Sequence, residues 1–259
     1  MKKKLRELYD YRDLLLNLTL TELKLRYRDS LLGFLWTVLN PLFYLLILAF
    51  VFSKITRFAV PNYPIFLFAG LASWLMIQQT VTIATASIVN NQTLIHKVYV
   101  PKIAFPVSNV LARYVDHAIL VALLLVLMAV FRTTFTWSVL FLPVSIFLHL
   151  LFSLGLSLIF AVAYIKVRDV QHIVAIVFQA LFYVTPVLYS IELLPAAYRP
   201  VFLWNPFYYF VQLVRFPVYH GTLPPWNDLL VALLLTSATF VVGFTVFVRK
   251  EAYFVFHLS

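Results

Sequence analysis

Between Leu31 and Val248 the chain is a succession of apolar runs, each long enough to cross a bilayer, with little polar sequence between them. A helical crossing needs about 20 such residues, and the runs fall at 31–53, 64–89, 103–131, 138–165, 170–190 and 228–248. Hydrophobic residues make up 63% of the sequence and charged residues 12%, against about half and a quarter in a soluble domain. One core cannot hide that much apolar surface, so lipid must be the solvent. Within lipid every backbone polar group needs an internal partner, and runs of this length meet that need as helices. The reading is an all-α integral membrane protein with six transmembrane helices. It forms a single transmembrane domain over 1–259, with a head at 1–30, a membrane region at 31–248 and a tail at 249–259.

Composition excludes several chemistries. The five glycines, Gly33, Gly70, Gly155, Gly221 and Gly243, are too scattered for a phosphate loop or a dinucleotide turn. Cysteine is absent, which removes disulfides, thiol catalysis and cysteine–zinc sites. The six histidines, His96, His117, His149, His172, His220 and His257, share no metal-binding spacing, so no metal is expected.

The net charge of +10 is concentrated at membrane edges rather than in a nucleic-acid patch. If the N-terminus is cytoplasmic, the inner segments carry 14 basic residues and the outer ones 5. The positive-inside rule therefore places both termini in the cytoplasm. The head does not read as a signal peptide, because its first long apolar run starts only after residue 30. Within it Leu8, Leu15, Leu18 and Leu25 recur near helical spacing over 5–25, which reads as an amphipathic helix on the inner membrane surface, the alternative being a soluble helix packed on the protein's own inner loops.

Two connecting segments stand out. The inner loop 90–102 suits a short helix from Thr93 to Tyr99, behind the cap-forming Asn90 and Asn91. Such a helix exposes Leu94, Ile95, Val98 and Tyr99, and exposed apolar residues call for a partner. The outer segment 191–227 is rich in proline and aromatics, which suits short helices that re-enter or lie on the outer face. Around it Pro186 is expected to kink the fifth crossing, Asn205 to cap a helix starting at Pro206, and Trp204 and Phe207 to complete an outer gate. No internal repeat is evident, so the second half of any central path would be another copy of the chain.

The stretches LRYRDSLLGFLWTVLNP (Leu25 to Pro41), LIHKVYVPKIAFP (Leu94 to Pro106), FYVTPVLY (Phe182 to Tyr189) and LWNPFYYFVQLVR (Leu203 to Arg215) occur in this order over nearly the whole chain. Together they resemble the permease subunits of type-2 ATP-binding-cassette exporters, above all those of bacterial polysaccharide (O-antigen or teichoic-acid) export. The resemblance implies a homodimer in the inner membrane with two copies of a separate ATPase, which binds the ATP and Mg²⁺. It makes Thr93, Leu94, Ile95, His96, Lys97, Val98 and Tyr99 the cytoplasmic coupling helix, and it implies a lipid-linked glycan as cargo.

Candidate path residues follow from helical faces. Trp36, Asn40, Phe43, Tyr44 and Ile47 share a face of the first crossing. Trp74, Gln78, Thr82 and Thr85 share one of the second, which reads equally as a helix–helix contact, and Phe178, Phe182, Thr185 and Tyr189 one of the fifth. Rings stack on pyranose faces, and amides and hydroxyls exchange hydrogen bonds with sugar hydroxyls, giving the many weak contacts a sliding polymer needs. Arg113, Asp116 and His117 lie within the third crossing, where Arg113 and Asp116 are spaced to pair. Ser153, Gly155 and Ser157, with Thr239 and Gly243, read as close helix-packing positions. Two other readings are an exporter of the same family for a drug, haem or small lipid, and a proton-coupled secondary transporter.

Overall fold

The structure is a computed structural model that describes residues 2–28, 30–52 and 60–257. Every regular element among them is helical. Among the described residues five helices are long and apolar enough to span a membrane. These are α3 (Trp36–Phe50), extended by a 3-10 turn at Gly33–Leu35, α4 (Tyr63–Thr85), α7 (Ala104–Val130), α8 (Leu142–Lys166) and α12 (Trp226–Lys250). The head forms two helices, α1 (Lys2–Asp10) and α2 (Arg12–Tyr27), and the loop after α4 forms α5 (Ser87–Asn90) and α6 (Gln92–Lys97). The expected end of the first crossing at Ser53, Lys54 and Arg57 after it, Asp29, and the last tail residues 258–259 lie outside the described residues.

The fifth expected crossing differs from its reading. Its helix, α9 (Val170–Val184), has 15 residues, about 22 Å at 1.5 Å per residue and short of a 30 Å hydrocarbon layer. It stops rather than kinks. Thr185 is extended, at ψ 133°, because a residue followed by proline disfavours the helical region and Pro186 has no N–H to continue the ladder. The chain then returns through α10 (Arg199–Leu203) and α11 (Pro206–Arg215).

Helix α11 is a buried half-helix. Its first turn packs Phe207 against Trp74, the middle of α4, and against Phe178 and Phe152. Its last residue, Arg215, lies over Phe66 near the start of α4. A following π-type turn at Phe216–His220 brings Tyr219 Oη to the Pro61 carbonyl at 2.7 Å. The chain beyond α9 thus returns as a segment that runs alongside α4 from its middle back to its start.

The bundle is tightest between α8 and α12. A Cβ on Gly155 would stand 2.5 Å from the Thr239 carbonyl carbon, and one on Gly243 would collide with the Gly155 carbonyl oxygen. Small residues let these two backbones touch, which matters in lipid, where packing rather than water exclusion joins helices. Ser153 and Ser157 are fully buried beside them.

One end of the bundle is tied by charge. Lys4 Nζ lies 2.8 Å from Glu7 and 2.7 Å from Glu251, the backbone N–H of Lys102 donates to Glu251, and Tyr99 donates to Glu7. Burial lowers the Lys4 pKa, but hydrogen bonds to Glu251 and Glu7 outweigh it and leave the ammonium raised. The Glu7 carboxylate likewise raises the Tyr99 phenol. The head is therefore joined to the α4–α7 loop and to the end of α12.

Candidate translocation cleft

Helix α3 is the least covered span, with Trp36, Phe43, Tyr44, Leu46, Ile47 and Phe50 all exposed. On the other flank of α4, α9 exposes Ile173, Ile176, Val177 and Tyr183. A cleft with two adjoining compartments lies along α3 and α4; the larger continues to α2 and α7, and the smaller reaches α9. The larger, about 540 Å³, is lined by Arg26, Tyr27, Trp36, Thr37, Asn40, Gln78, Gln79, Thr82, Arg113, Asp116 and His117 among others. The smaller, about 280 Å³, is lined by Asn40, Tyr44, Trp74, Gln78, Gln79, Gln179, Phe182 and Tyr183 among others. Asn40, Pro41, Leu75, Gln78 and Gln79 border both. The rim is ordered: Trp74 Nε1 donates to Gln78 Oε1 at 2.8 Å, fixing the amide. Pro41 sits inside α3 and offers no N–H to the Thr37 carbonyl, leaving that acceptor without its helical partner beside the cleft.

Of the expected path residues, Trp36, Asn40, Tyr44, Gln78, Thr82 and Phe182 lie along this cleft, whereas Trp74 only borders it, 1% exposed with its ring packed by Phe178, Phe182 and Phe207. Others do not. Phe43 and Ile47 are exposed on α3 away from both compartments. Thr85 is fully buried and donates to the Val81 carbonyl, as a hydroxyl inside a helix does when no other acceptor is near. Phe178 is buried edge-on to Trp74 and Phe207. Tyr189 folds back to the Tyr183 carbonyl at 2.9 Å. The break after Val184 moves Thr185 and Tyr189 off the α9 face that helical counting gave them.

The intramembrane charges also form a larger group than sequence spacing gives. Asp116 accepts from Arg26 Nη1 and, at 2.8 Å, from Tyr27 Oη, which also meets Thr37 Oγ1 at 2.6 Å. Arg113 Nη1 stays 3.6 Å from the same carboxylate. The main partner of Asp116 therefore comes from α2, 90 residues away, and no local pattern marked Arg26. Both carboxylate oxygens are engaged, which suits structural pairing rather than a proton relay. His117 and His149 are buried on Thr80 and Ser73. No cluster of three or more metal-ligating side chains occurs among the described residues.

At the tied end, α6 spans Gln92–Lys97 and is shorter than expected. Val98 is already extended, and Val98 and Tyr99 are exposed, as are Thr93, His96 and Lys97. Leu94 and Ile95 turn inward instead and pack against the cluster of Ile88, Ile103, Phe105 and Phe247. The same cluster receives Leu8, Leu14, Leu15 and Leu18, while Leu16, Leu20 and Leu25 face outward. Helix α2 therefore packs on the protein's own helices along one side and leaves a second apolar side uncovered.

At the re-entrant segment, Asn205 Oδ1 accepts the Phe207 N–H at 3.0 Å and caps α11, with Pro206 as its first residue. Asn205 Nδ2 donates to Thr185 Oγ1. Pro186 gives its carbonyl to Arg215. Trp204 is fully displayed at the surface, at 88% exposure.

Residues 14–219 match the model of the ABC-2 type transporter family. The chain belongs to this family. It is 38% identical over 192 residues, 74% of each chain, to the O-antigen export system permease protein RfbA of Myxococcus xanthus. It is 30% identical over 215 residues, 82% of each, to the O-antigen export system permease protein RfbA of Klebsiella pneumoniae. Against the polysialic acid transport protein KpsM of Escherichia coli it is 26% identical over 250 residues, 90% of this chain and 92% of the other. An apolar, all-helical, multi-pass chain in a transporter family accounts for the fold.

Proposed function

We propose that this chain is the permease subunit of an exporter that moves a lipid-linked polysaccharide across a bacterial inner membrane, as a homodimer powered by a separate ATPase. The observation that carries the proposal is the open cleft. Asn40, Gln78, Gln79 and Gln179 line a furrow on the side of α4 that α3 and α9 leave uncovered. Amides at membrane depth need polar partners or water. A second copy facing this furrow would close it into one path lined by amides and by Trp36, Tyr44, Phe182 and Tyr183. That lining suits sugar rings and hydroxyls, and the similarity to permeases named for O-antigen and polysialic acid points to the same cargo.

In this reading the tied end faces the cytoplasm, in line with its basic residues, and both termini lie there. The exposed strip Thr93, His96, Lys97, Val98 and Tyr99 docks in the ATPase. Closure of two ATPases, with ATP and Mg²⁺ bound by them, pushes on α6 and shifts α4 and α7, which α6 joins. At the other face, Pro186, Trp204, Asn205, Pro206 and Phe207 form the gate that seals the path between cycles. Co-purification from native membranes tests the proposal. A cytoplasmic ATPase and a lipid-linked glycan should accompany the chain, and recovery with neither contradicts it.

A further inference from the structure

Two guanidinium groups share one carboxylate in the larger compartment. Arg26 and Tyr27 take both oxygens of Asp116. Arg113, with only 17% of its side chain exposed, is 3.6 Å from that carboxylate, beyond hydrogen-bond range. Arg113 donates no hydrogen bond among the described residues, and its Nε is buried without a partner. The other nearby acid, Glu22, accepts from Asn109 at 3.1 Å and does not line the compartment. The charges that do line it leave one cation in excess. A shielded guanidinium with its donors unused is costly unless an anion or water meets it, and its planar fork matches phosphate oxygens in pairs.

We propose that this compartment binds a phosphate or diphosphate ester, with Arg113 as the principal donor, Arg26 as the second cation and the amides of Asn40 and Gln78 on the far rim. The ester is that of the lipid that carries the glycan, an assignment that rests on the export reading above. The adjoining compartment decides between this source and an ordinary phospholipid. It opens from the same Asn40–Gln78 rim onto Tyr44, Phe182 and Tyr183, with Tyr44 and Tyr183 exposed to meet sugar rings next to the phosphate. Asp116 is a positioning residue here: it fixes Arg26 and Tyr27 by hydrogen bonds and holds Arg113 only at ion-pair distance, so the Arg113 donors stay open to the ligand.

Trp36 and Trp74 line the two compartments, so tryptophan fluorescence reports on both. The purified chain, in nanodiscs of neutral phosphatidylcholine, would be titrated with a short polyprenyl diphosphate. Saturable quenching is expected, with displacement by inorganic pyrophosphate and no competition from polyprenol or phosphatidylglycerol. Arg113→Gln should weaken binding by about tenfold or more, and Arg113→Lys by less. Failure of pyrophosphate to displace the ligand from the wild-type chain overturns the proposal without relying on any variant. Unchanged affinity in a folded Arg113→Gln chain overturns it too, and equal competition by phosphatidylglycerol assigns the pocket to bulk lipid instead. Export is read separately. A wild-type chain that binds the diphosphate but exports no glycan with its ATPase contradicts the export reading alone, whereas an Arg113→Gln chain that exports normally contradicts only this site.

Discussion

Asn205 joins the two ends of the break in the fifth span: its Nδ2 donates to Thr185 Oγ1 at 2.8 Å while its Oδ1 caps α11. One side chain thus fixes where α9 stops and where the half-helix α11 starts. Replacing Asn205 with Ala removes a cap worth about 1 kcal/mol and a buried hydrogen bond worth about as much again. The proposed gate should then loosen while insertion persists. Ion conductance of proteoliposomes measures this: Asn205→Ala should raise resting leak, and Thr185→Val should raise it less, because the cap remains.

Arg215 anchors the same segment from its other end. Its guanidinium is buried over Phe66, 3.8 Å from the ring centroid, and donates to the Pro186 and Val187 carbonyls. Gly70 leaves the room it needs, since a Cβ there would stand 2.5 Å from Arg215 Nη2. Arg215→Leu orphans two carbonyls, at about 1–3 kcal/mol each, and Gly70→Ala displaces the guanidinium. Both variants should lower the thermal midpoint of the detergent-purified chain, and protease cleavage should rise between 189 and 204. Unaltered midpoints and cleavage would remove Arg215 as the anchor.

Helices α8 and α12 meet backbone to backbone at Gly155 and Gly243. Gly155→Leu or Gly243→Leu overpacks this contact, at about 1–3 kcal/mol or more. Membrane insertion should continue, but the yield of folded chain in size-exclusion chromatography should fall sharply. A Val126→Leu control on an exposed position should have no effect.

Val98 and Tyr99 are the most exposed apolar residues beside α6. Val98→Asp with Tyr99→Asp would place charge at the proposed ATPase contact, at several kcal/mol by order of magnitude. Co-purification of the ATPase should be lost while the chain still inserts. The inward-facing Leu94 is a contrast: Leu94→Asp should destabilise the chain itself.

Much of the architecture was legible because lipid forces it. Run length alone identified α3, α4, α7, α8 and α12, and small residues at Gly155, Thr239 and Gly243 marked the tightest contact. The α9 break was less visible, since 170–190 is apolar throughout and only Pro186 interrupts it. The sharing of Asp116 by Arg26 and Arg113 was not legible at all, because it depends on how α2 folds back on α7. Helical counting likewise placed Thr85, Phe178 and Tyr189 on the path, where packing turns them inward or back on the chain. It placed Asn40, Gln78 and Phe182 on the cleft because those helices are regular there.

The central claim is that the α3–α4–α9 furrow is half of a shared export path. The absence of cysteine permits a direct test with single cysteines at Asn40, Gln179 and, as a lipid-facing control, Val126. The chain with its ATPase would be treated with a membrane-impermeant thiol reagent during ATP-driven export. Asn40→Cys and Gln179→Cys should be labelled, with loss of export, and Val126→Cys should stay unlabelled and active. Equal labelling at all three sites, or labelling at Asn40 and Gln179 with export intact, would contradict the claim.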